Sequence, residues 1–127
     1  MSIVGIGTDI VSVPRLRAAV ERHGERFAER ILADTELAEW RRRERPIALL
    51  AKRFAAKEAA AKALGTGIAQ GVTLKSLTVE HDTLGKPVLC LHGAAAARAA
   101  AIGAARWHLS LSDERDLAAA FVVLETG

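Results

Sequence analysis

The spacing of hydrophobic positions changes along the chain, and these changes predict its elements. Alternation over residues 2–11 predicts a strand, whereas apolar residues recur at helical spacing over residues 46–65 and stop at a glycine. Further strands are predicted at 74–80, 87–91, 107–112 and 117–124, and further helices near Pro14 and at 25–32, 34–43 and 93–101. The order β-α-α-α-β-β-α-β-β predicts an α+β fold, with an antiparallel sheet packed on one long central helix.

The long predicted helix carries an acidic residue within its apolar stripe. At about 100° per residue, Glu58 lies within roughly 60° of Ile47, Ala51 and Phe54. Lys62 follows one turn later on the same side. One interpretation is an ordinary exposed Glu–Lys pair, which would stabilise the helix by about 0.3–0.5 kcal/mol. The other is a desolvated carboxylate that needs a cation, and the rest of the sequence favours it.

The first predicted strand carries a second candidate carboxylate. Gly5, Gly7 and Asp9 share one face of this strand, and the two glycines leave room for a backbone or a ligand to approach. A dinucleotide-binding fingerprint is excluded because the third glycine is absent and the motif lies within a strand. Asp9 either simply ends the strand or meets Glu58. In the second case the two carboxylates need a cation, and Mg²⁺ fits because waters and phosphate oxygens complete its coordination. Lys62 would then serve a phosphate.

A row of polar residues follows one face of a later predicted strand. His108, Ser110 and Ser112 alternate with apolar residues, which is typical of a half-solvated strand and equally suits binding of a phosphate or a carboxylate. A Ser-His-Asp hydrolase is not indicated, because an alternating strand offers no sharp turn for a nucleophile.

Composition narrows the class of protein. The length of 127 residues and the absence of a linker predict a single domain over residues 1–127. Its 50% hydrophobic content excludes disorder, and the few aromatic residues predict a core of small and aliphatic side chains suited to close helix or subunit packing. The single Cys90 excludes a disulfide framework and a Cys-rich zinc site. Neither a signal peptide nor a membrane span is predicted, so we expect a soluble cytoplasmic protein.

Several separated motifs together resemble bacterial holo-acyl-carrier-protein synthases, of the 4′-phosphopantetheinyl transferase superfamily. The matching segments are Gly5-Ile6-Gly7-Thr8-Asp9-Ile10-Val11 with Arg15-Leu16, Arg53-Phe54-Ala55-Ala56-Lys57-Glu58-Ala59 with Lys62 and Gly65-Thr66-Gly67-Ile68, Leu84-Gly85-Lys86-Pro87, and His108-Leu109-Ser110-Leu111-Ser112. They cover nearly the whole chain in the family's order. Two departures are minor: Asp113 stands where many members carry His, and Pro14 replaces a more usual non-proline residue.

The resemblance implies a reaction and roles for site residues. Members transfer the 4′-phosphopantetheine arm of coenzyme A to a serine of apo-acyl carrier protein and release adenosine 3′,5′-bisphosphate. By resemblance, Asp9 and Glu58 hold Mg²⁺, or Mn²⁺ in its place, and Lys62 assists the leaving group. Either Glu58 or a metal-bound water takes the proton of the serine. The implied contacts to coenzyme A are Arg53, Gly65, His108 and Ser110.

The resemblance also implies a homotrimer with active sites at subunit boundaries. Arginines are concentrated on and after the first predicted helix, beginning with Arg15, and they either form a solvated face or steer the acidic carrier protein. Nucleic acid is a weaker alternative because interleaved aromatic residues are missing. A non-catalytic module that binds coenzyme A or the carrier protein is the alternative function, although it would not need both Asp9 and Glu58. A carrier-protein transferase of broad range is a further alternative, but such enzymes are typically about twice this length, so the short chain argues against it.

Overall fold

The computed structural model of the protein describes all residues from Met1 to Gly127. Its elements are β1 (Ile3–Ser12), α1 (Val13–His23), α2 (Glu25–Ile31), α3 (Asp34–Arg42), α4 (Ile47–Ala63), a 3-10 turn (Leu74–Ser76), β2 (Leu77–His81), β3 (Pro87–Leu91), α5 (Gly93–Ala101), β4 (Arg106–Asp113) and β5 (Leu117–Glu125). This order confirms the predicted α+β fold, and the boundaries differ from the predicted ones by only a few residues.

The strands form two antiparallel sheets. One sheet has three strands in the order β1-β5-β4, and the other is the hairpin β2-β3. The larger sheet packs on α4, because its inward positions on β5 are buried while those on the opposite face are exposed or half-buried. Since alternate residues of a strand point to opposite faces, the pairing of the strands decides which side chains can share a site.

Two glycines let β1 approach the backbone of α4. A Cβ at Gly7 would lie 2.0 Å from the carbonyl oxygen of Ala59, and a Cβ at Gly5 would lie 2.1 Å from that of Ala63. Any side chain at either position would collide with the helix backbone. The glycines therefore bring Asp9, on the same face of β1, up to the side of α4.

The long helix α4 is enclosed on most of its sides rather than along one stripe. Alanine dominates its buried positions, since small side chains permit close approach of the elements around it. Ten of its residues are buried: Leu50, Ala51, Arg53, Ala55, Ala56, Lys57, Ala59, Ala60, Ala61 and Ala63. Two of these are charged, so the packing around α4 must supply partners for them.

Lys57 is fully buried and joins α4 to three other parts of the fold. Its Nζ donates to Glu36 Oε1 at 2.5 Å, to the carbonyl of Ile31 at 2.7 Å and to that of Leu74 at 3.0 Å. Glu36 Oε2 accepts from the backbone N–H of Val79 at 3.0 Å. Burial lowers the pKa of Lys57, and the charge of Glu36 opposes that shift. All three ammonium donors are satisfied, so the Lys57–Glu36 pair holds α4 against α2, α3, the 3-10 turn and β2.

Candidate active site

Three charged residues from three elements line one small cavity. Asp9 comes from β1, Arg15 from the first turns of α1 and Glu58 from the middle of α4, and together they face a space of about 240 Å³. The turn between strand and helix is short because Ser12 caps α1, its Oγ accepting from the backbone N–H of Arg15 at 3.3 Å. This cap holds Arg15 beside the C-terminal end of β1, where Asp9 lies.

Lys62 completes the cluster through a contact to the strand. Its Nζ lies 3.0 Å from Asp9 Oδ1 and 3.0 Å from the carbonyl oxygen of Thr8. The residue that Lys62 contacts is thus Asp9, and the simple Glu58–Lys62 helix pair is not the ion pair that forms. The arrangement depends on the close approach of β1 to α4.

The electrostatics of the cavity disfavour a charged Glu58. Burial raises the pKa of its carboxyl group, and the nearby charge of Asp9 raises it further, while Lys62 acts in the opposite direction. Two carboxylates therefore share a site with Arg15, and Lys62 is the cation that lowers the pKa of Glu58. A bound divalent cation would remove the repulsion between them.

The donor set fits a hard cation that retains most of its own ligands. No cluster of three or more His, Cys, Asp and Glu side chains able to hold a metal occurs in the protein. Mg²⁺ commonly takes only one or two carboxylates from a protein and completes its octahedron with waters and substrate phosphates. Asp9 and Glu58 are the residues that could hold such an ion, because they line the same cavity.

Arg53 lies in a second and larger cavity of about 660 Å³, toward the N-terminal end of α4. Arg43 and Lys52 line the same cavity, as does Glu39. The Arg53 side chain is only 2% exposed, and its Nη2 donates to Glu39 Oε1 at 2.9 Å. Its Nη1 is buried and has no hydrogen-bond partner. A buried guanidinium nitrogen without a partner, in a cation-rich cavity, is the chemistry of an anion site.

Gly65 lies just beyond α4, one turn after Lys62. Its φ of +79° belongs to the left-handed region that favours glycine, and a Cβ there would lie 3.3 Å from Arg98 Nη2. Arg98 comes from α5, and its Nε donates to the carbonyl oxygen of Leu64 at 2.8 Å. The arginine thus satisfies a carbonyl at the C-terminus of α4 and covers the turn that begins with Gly65.

His108 and Ser110 lie on the face of the sheet that is turned away from α4. The pairing aligns Ile6, Val123 and His108 in one row, whereas Asp9 pairs with Ala120 on the opposite face. His108 Nε2 lies 2.9 Å from Glu125 Oε1 at the surface. Within one chain, therefore, neither His108 nor Ser110 reaches the cavity of Asp9 and Glu58.

The face that carries His108 and Ser110 is apolar as well as exposed. Ile6 is 60% exposed, Ile10 is 68% exposed and Phe121 is 44% exposed, and all three lie on this face. Such a contiguous exposed apolar surface on a small protein marks an interaction site. The structure thus separates the predicted site residues into a carboxylate cavity, an arginine cavity and an open sheet face.

Sequence reasoning missed three residues around these cavities: Glu36, Glu39 and Lys57. A weak signal for Lys57 was present, because alanines follow it at positions 59, 60 and 61 of the predicted helix, and small side chains allow other elements to pack closely there. Glu36 and Glu39 gave no comparable signal, because both lie in a short polar helix whose partners are remote in sequence.

No helix in the structure is both long enough and apolar enough to cross a membrane.

The chain matches the 4′-phosphopantetheinyl transferase superfamily over residues 5–122. It is 63% identical to a holo-[acyl-carrier-protein] synthase of Halorhodospira halophila, over 98% of this chain and 99% of that protein. The chain therefore belongs to the 4′-phosphopantetheinyl transferase superfamily. Within it, this is an enzyme of the holo-acyl-carrier-protein synthase type.

Solved structures agree with this assignment. The crystal structure of the holo-[acyl-carrier-protein] synthase from Neisseria meningitidis has a TM-score of 0.92 and 46% identity, covering 98% of this chain and all of that one. A holo-(acyl-carrier-protein) synthase from Bacillus anthracis, solved in complex with coenzyme A (3′,5′-ADP), has a TM-score of 0.81 and 36% identity, with 98% of each chain covered. The predicted family and fold are both confirmed.

Proposed function

We propose that this enzyme transfers the 4′-phosphopantetheine group of coenzyme A to a serine of apo-acyl carrier protein, with Mg²⁺ as its cofactor and adenosine 3′,5′-bisphosphate as the second product. The observation that carries the proposal is the convergence of Asp9 on β1 with Glu58 and Lys62 on α4, two elements far apart in sequence. This group combines two carboxylates that could hold a cation with an exposed ammonium donor. A module that only binds coenzyme A would not need both carboxylates in this cavity.

Asp9 and Glu58 would hold the cation, which supplies positive charge to the pyrophosphate of coenzyme A. The proton of the carrier serine passes to Glu58 or to a water beside it. Lys62 is 52% exposed and can turn from Asp9 toward the leaving phosphate, where it stabilises the developing charge. Arg15 faces the same cavity and is placed to meet the arriving carrier protein. The residues thus act by positioning and by electrostatic stabilisation, as is usual for transfer of phosphoryl-type groups.

Coenzyme A would extend from this site toward the arginine cavity. Arg53 lies five residues before Glu58, a rise of about 7.5 Å along the helix. The partnerless Nη1 of Arg53 and the nearby cations Arg43 and Lys52 suit a phosphate group of coenzyme A. Gly65, at the other end of α4, would let the backbone approach the ligand closely.

The exposed sheet face supports a homotrimer with shared active sites. His108 and Ser110 can contact coenzyme A only if another subunit brings the cavity of its own Asp9 and Glu58 to them. The apolar side chains Phe121 on β5 and Ile6 and Ile10 on β1 lie to one side of this polar row on the same face, so subunit association would bury them. We infer that each site takes its carboxylates from one chain and the His–Ser row from its neighbour.

The acidic carrier protein would dock on α1. Arg15 and Arg22 lie seven residues apart, and therefore on one face of this helix, outside any ion pair, whereas Arg41 and Arg45 are already paired with Glu25. Unpaired cations contribute most to the electrostatic attraction of an acidic partner. The face of α1, rather than the arginine run that follows it, is thus the proposed docking surface. We also place the reaction in the cytoplasm.

The direct test is incubation with apo-acyl carrier protein, coenzyme A and Mg²⁺, followed by the intact mass of the carrier. We expect a gain of one phosphopantetheine group, which EDTA abolishes. Asp9→Asn and Glu58→Gln should lose most activity while retaining the fold, and Glu114→Gln in the β4–β5 turn is the matched control. Full activity in excess EDTA, or in either carboxylate variant, would exclude the metal assignment.

The shared site has its own test, a mixture of two inactive variants. His108→Ala and Glu58→Gln subunits, dissociated and reassembled in equal amounts, should form about one quarter of their sites from two intact halves. Recovery of roughly that fraction of wild-type activity is expected. A mixture that stays inactive, or an active wild-type monomer in sedimentation, would contradict a shared site.

A further inference from the structure

One carboxylate organises the cations of the arginine cavity. Glu39, on α3, is the only side chain that hydrogen-bonds to Arg53, through Oε1 to Nη2 at 2.9 Å. Its other oxygen, Oε2, accepts from Arg43 Nη1 at 3.2 Å. Arg43, Arg53 and Glu39 all line the same cavity of about 660 Å³. A single carboxylate thus fixes two guanidinium groups where an anionic ligand would enter.

The remaining charges of the cavity show that this arrangement has an uncompensated cation. Lys52 lies 3.6 Å from Asp113, which also lines the cavity, so these two charges offset each other. Glu39 offsets only one of its two arginines. Arg53, which is buried and whose Nη1 has no partner, is the cation with unused hydrogen-bonding capacity.

Glu39 remains charged in this setting. Burial raises the pKa of its carboxyl group, but the hydrogen bonds and charges of Arg53 and Arg43 outweigh burial, and the pKa lies below its ordinary value. Without Glu39, the buried guanidinium of Arg53 would have no side-chain partner and would be driven toward other acceptors or solvent. A carboxylate in an anion site repels the ligand, so its presence is explained by orientation of the arginines and not by attraction.

We propose that Glu39 is a positioning residue for coenzyme A, which holds Arg53 and Arg43 in place to receive a phosphate group of the ligand. This inference rests on the proposed function, which assigns the cavity to coenzyme A. Because the arginines are oriented before the ligand arrives, binding does not have to order them.

The test compares three substitutions that change charge and reach separately. Glu39→Ala removes both the charge and the acceptor, Glu39→Gln keeps an acceptor of the same length for Arg53, and Glu39→Asp keeps the charge but shortens the side chain. Titration calorimetry with coenzyme A should show Kd raised about tenfold or more in Glu39→Ala and Glu39→Asp, because truncating one partner of a buried charged pair is costly. Glu39→Gln should raise Kd less than either of these, because it keeps the acceptor for Arg53 although its amide nitrogen can no longer accept from Arg43.

Glu25 offers a matched control, because it also pairs with two arginines but lies outside the cavity. Its oxygens accept from Arg41 and Arg45 at 2.7 and 3.0 Å. Glu25→Ala should leave the Kd for coenzyme A unchanged. In steady-state assays the Glu39 variants should raise KM for coenzyme A while kcat at saturation remains near that of the wild type.

The outcomes separate this inference from the function on which it rests. Failure of the wild type to bind coenzyme A would refute the proposed function. If the wild type binds but Glu39→Ala and Glu39→Asp bind equally well, only the positioning role falls. If Glu39→Ala folds poorly, the other two variants still test the positioning role. That role predicts that Glu39→Gln binds coenzyme A more tightly than Glu39→Asp, whereas a role of negative charge alone predicts the opposite ranking. Repeating the titration with 3′-dephospho-coenzyme A identifies the phosphate: a loss confined to coenzyme A assigns the 3′-phosphate, and an equal loss for both ligands assigns the pyrophosphate.

Discussion

Replacing Gly7 by alanine tests whether the spacing between β1 and α4 builds the active site. The new Cβ would lie 2.0 Å from the carbonyl oxygen of Ala59 and 2.8 Å from the backbone nitrogen of Ala63. Both obstacles are backbone atoms of a buried helix, so no side chain can turn away to relieve the contact. Moving the oxygen out to about 3.0 Å, the lower limit of real contacts, requires a shift of about 1 Å between strand and helix.

That shift has two consequences of calculable size. Overpacking a core costs about 1–3 kcal/mol, and a collision with backbone belongs at the upper end, so we expect Tm to fall by roughly 10 °C. The same shift stretches the 3.0 Å contact between Asp9 and Lys62 toward about 4 Å and parts Asp9 from Glu58. Since a misplacement of about 1 Å can cost 10²-fold in rate, the activity of Gly7→Ala should fall by about that factor.

The assay is carrier-protein modification by intact mass, run well below the Tm of every variant, with unfolding followed by circular dichroism. The Mg²⁺ concentration for half-maximal activity should rise, because the two carboxylates proposed to hold the ion would be moved apart. Leu89→Ala is the control for stability alone, because it removes a buried side chain of β3 at a similar cost of about 2–5 kcal/mol without touching the β1–α4 contact. It should keep its activity at the assay temperature.

Gly5→Ala provides a second comparison, because its Cβ would collide equally hard with the oxygen of Ala63 at 2.1 Å. Gly5 is four residues from Asp9 and Gly7 only two, so Gly5→Ala should lose comparable stability but less activity. Near wild-type activity in Gly7→Ala, together with the expected loss of stability, would refute the claim that this spacing sets the site. Restoration of activity by adding Ala59→Gly would show that the obstacle is a side chain, which is also contrary to the structure.

Three further predictions follow from the charged groups around α4. Glu58→Gln should be more stable than the wild type in EDTA at pH values above 4.5, the ordinary pKa of a glutamate. The folded-state pKa of Glu58 is raised, so the stability that its protonated form contributes is lost as the pH rises from 4.5 through the folded-state pKa. Urea unfolding between about pH 4 and 8 will measure this loss. Lys57→Met should lower the free energy of unfolding by about 3–5 kcal/mol, since it leaves Glu36 charged and buried, and adding Glu36→Leu should recover much of the loss. Arg15→Ala should raise KM for the carrier protein roughly 30-fold and leave KM for coenzyme A unchanged. Added salt should also raise the KM of the wild type for the carrier protein. If this KM changes with neither the substitution nor the salt concentration, α1 is only a solvated face.

The order of the elements and the faces of the strands were determined by the sequence alone. Alternation over β1 placed Gly5, Gly7 and Asp9 on one side, and the pairing with β5 shows that face against the core. The pattern of α4 likewise predicted its extent, from Pro46 to the glycine stop. These features follow from the fixed periods of strands and helices, so they depend on residues within a few positions of one another.

The partners of the charged side chains were decided only by the tertiary structure. Helical spacing allowed Glu58 as the partner of Lys62, but the close approach of β1 offers Asp9 and the carbonyl of Thr8 instead. Likewise Lys57 finds Glu36 across the fold. A charge takes the partner that the packing of distant elements brings within about 3 Å, and no local period encodes that distance.

The sequence also could not predict that the site residues lie on separate surfaces of one chain. The row of His108 and Ser110 was predicted correctly as one face of a strand, but only the order β1-β5-β4 shows that this face is turned away from Asp9. Arg53 was identified by family resemblance, and only the fold shows its buried, half-satisfied guanidinium beside Glu39. Strand order and helix approach are set by burial of the whole apolar surface at once, a global balance that the pattern of any single segment cannot contain.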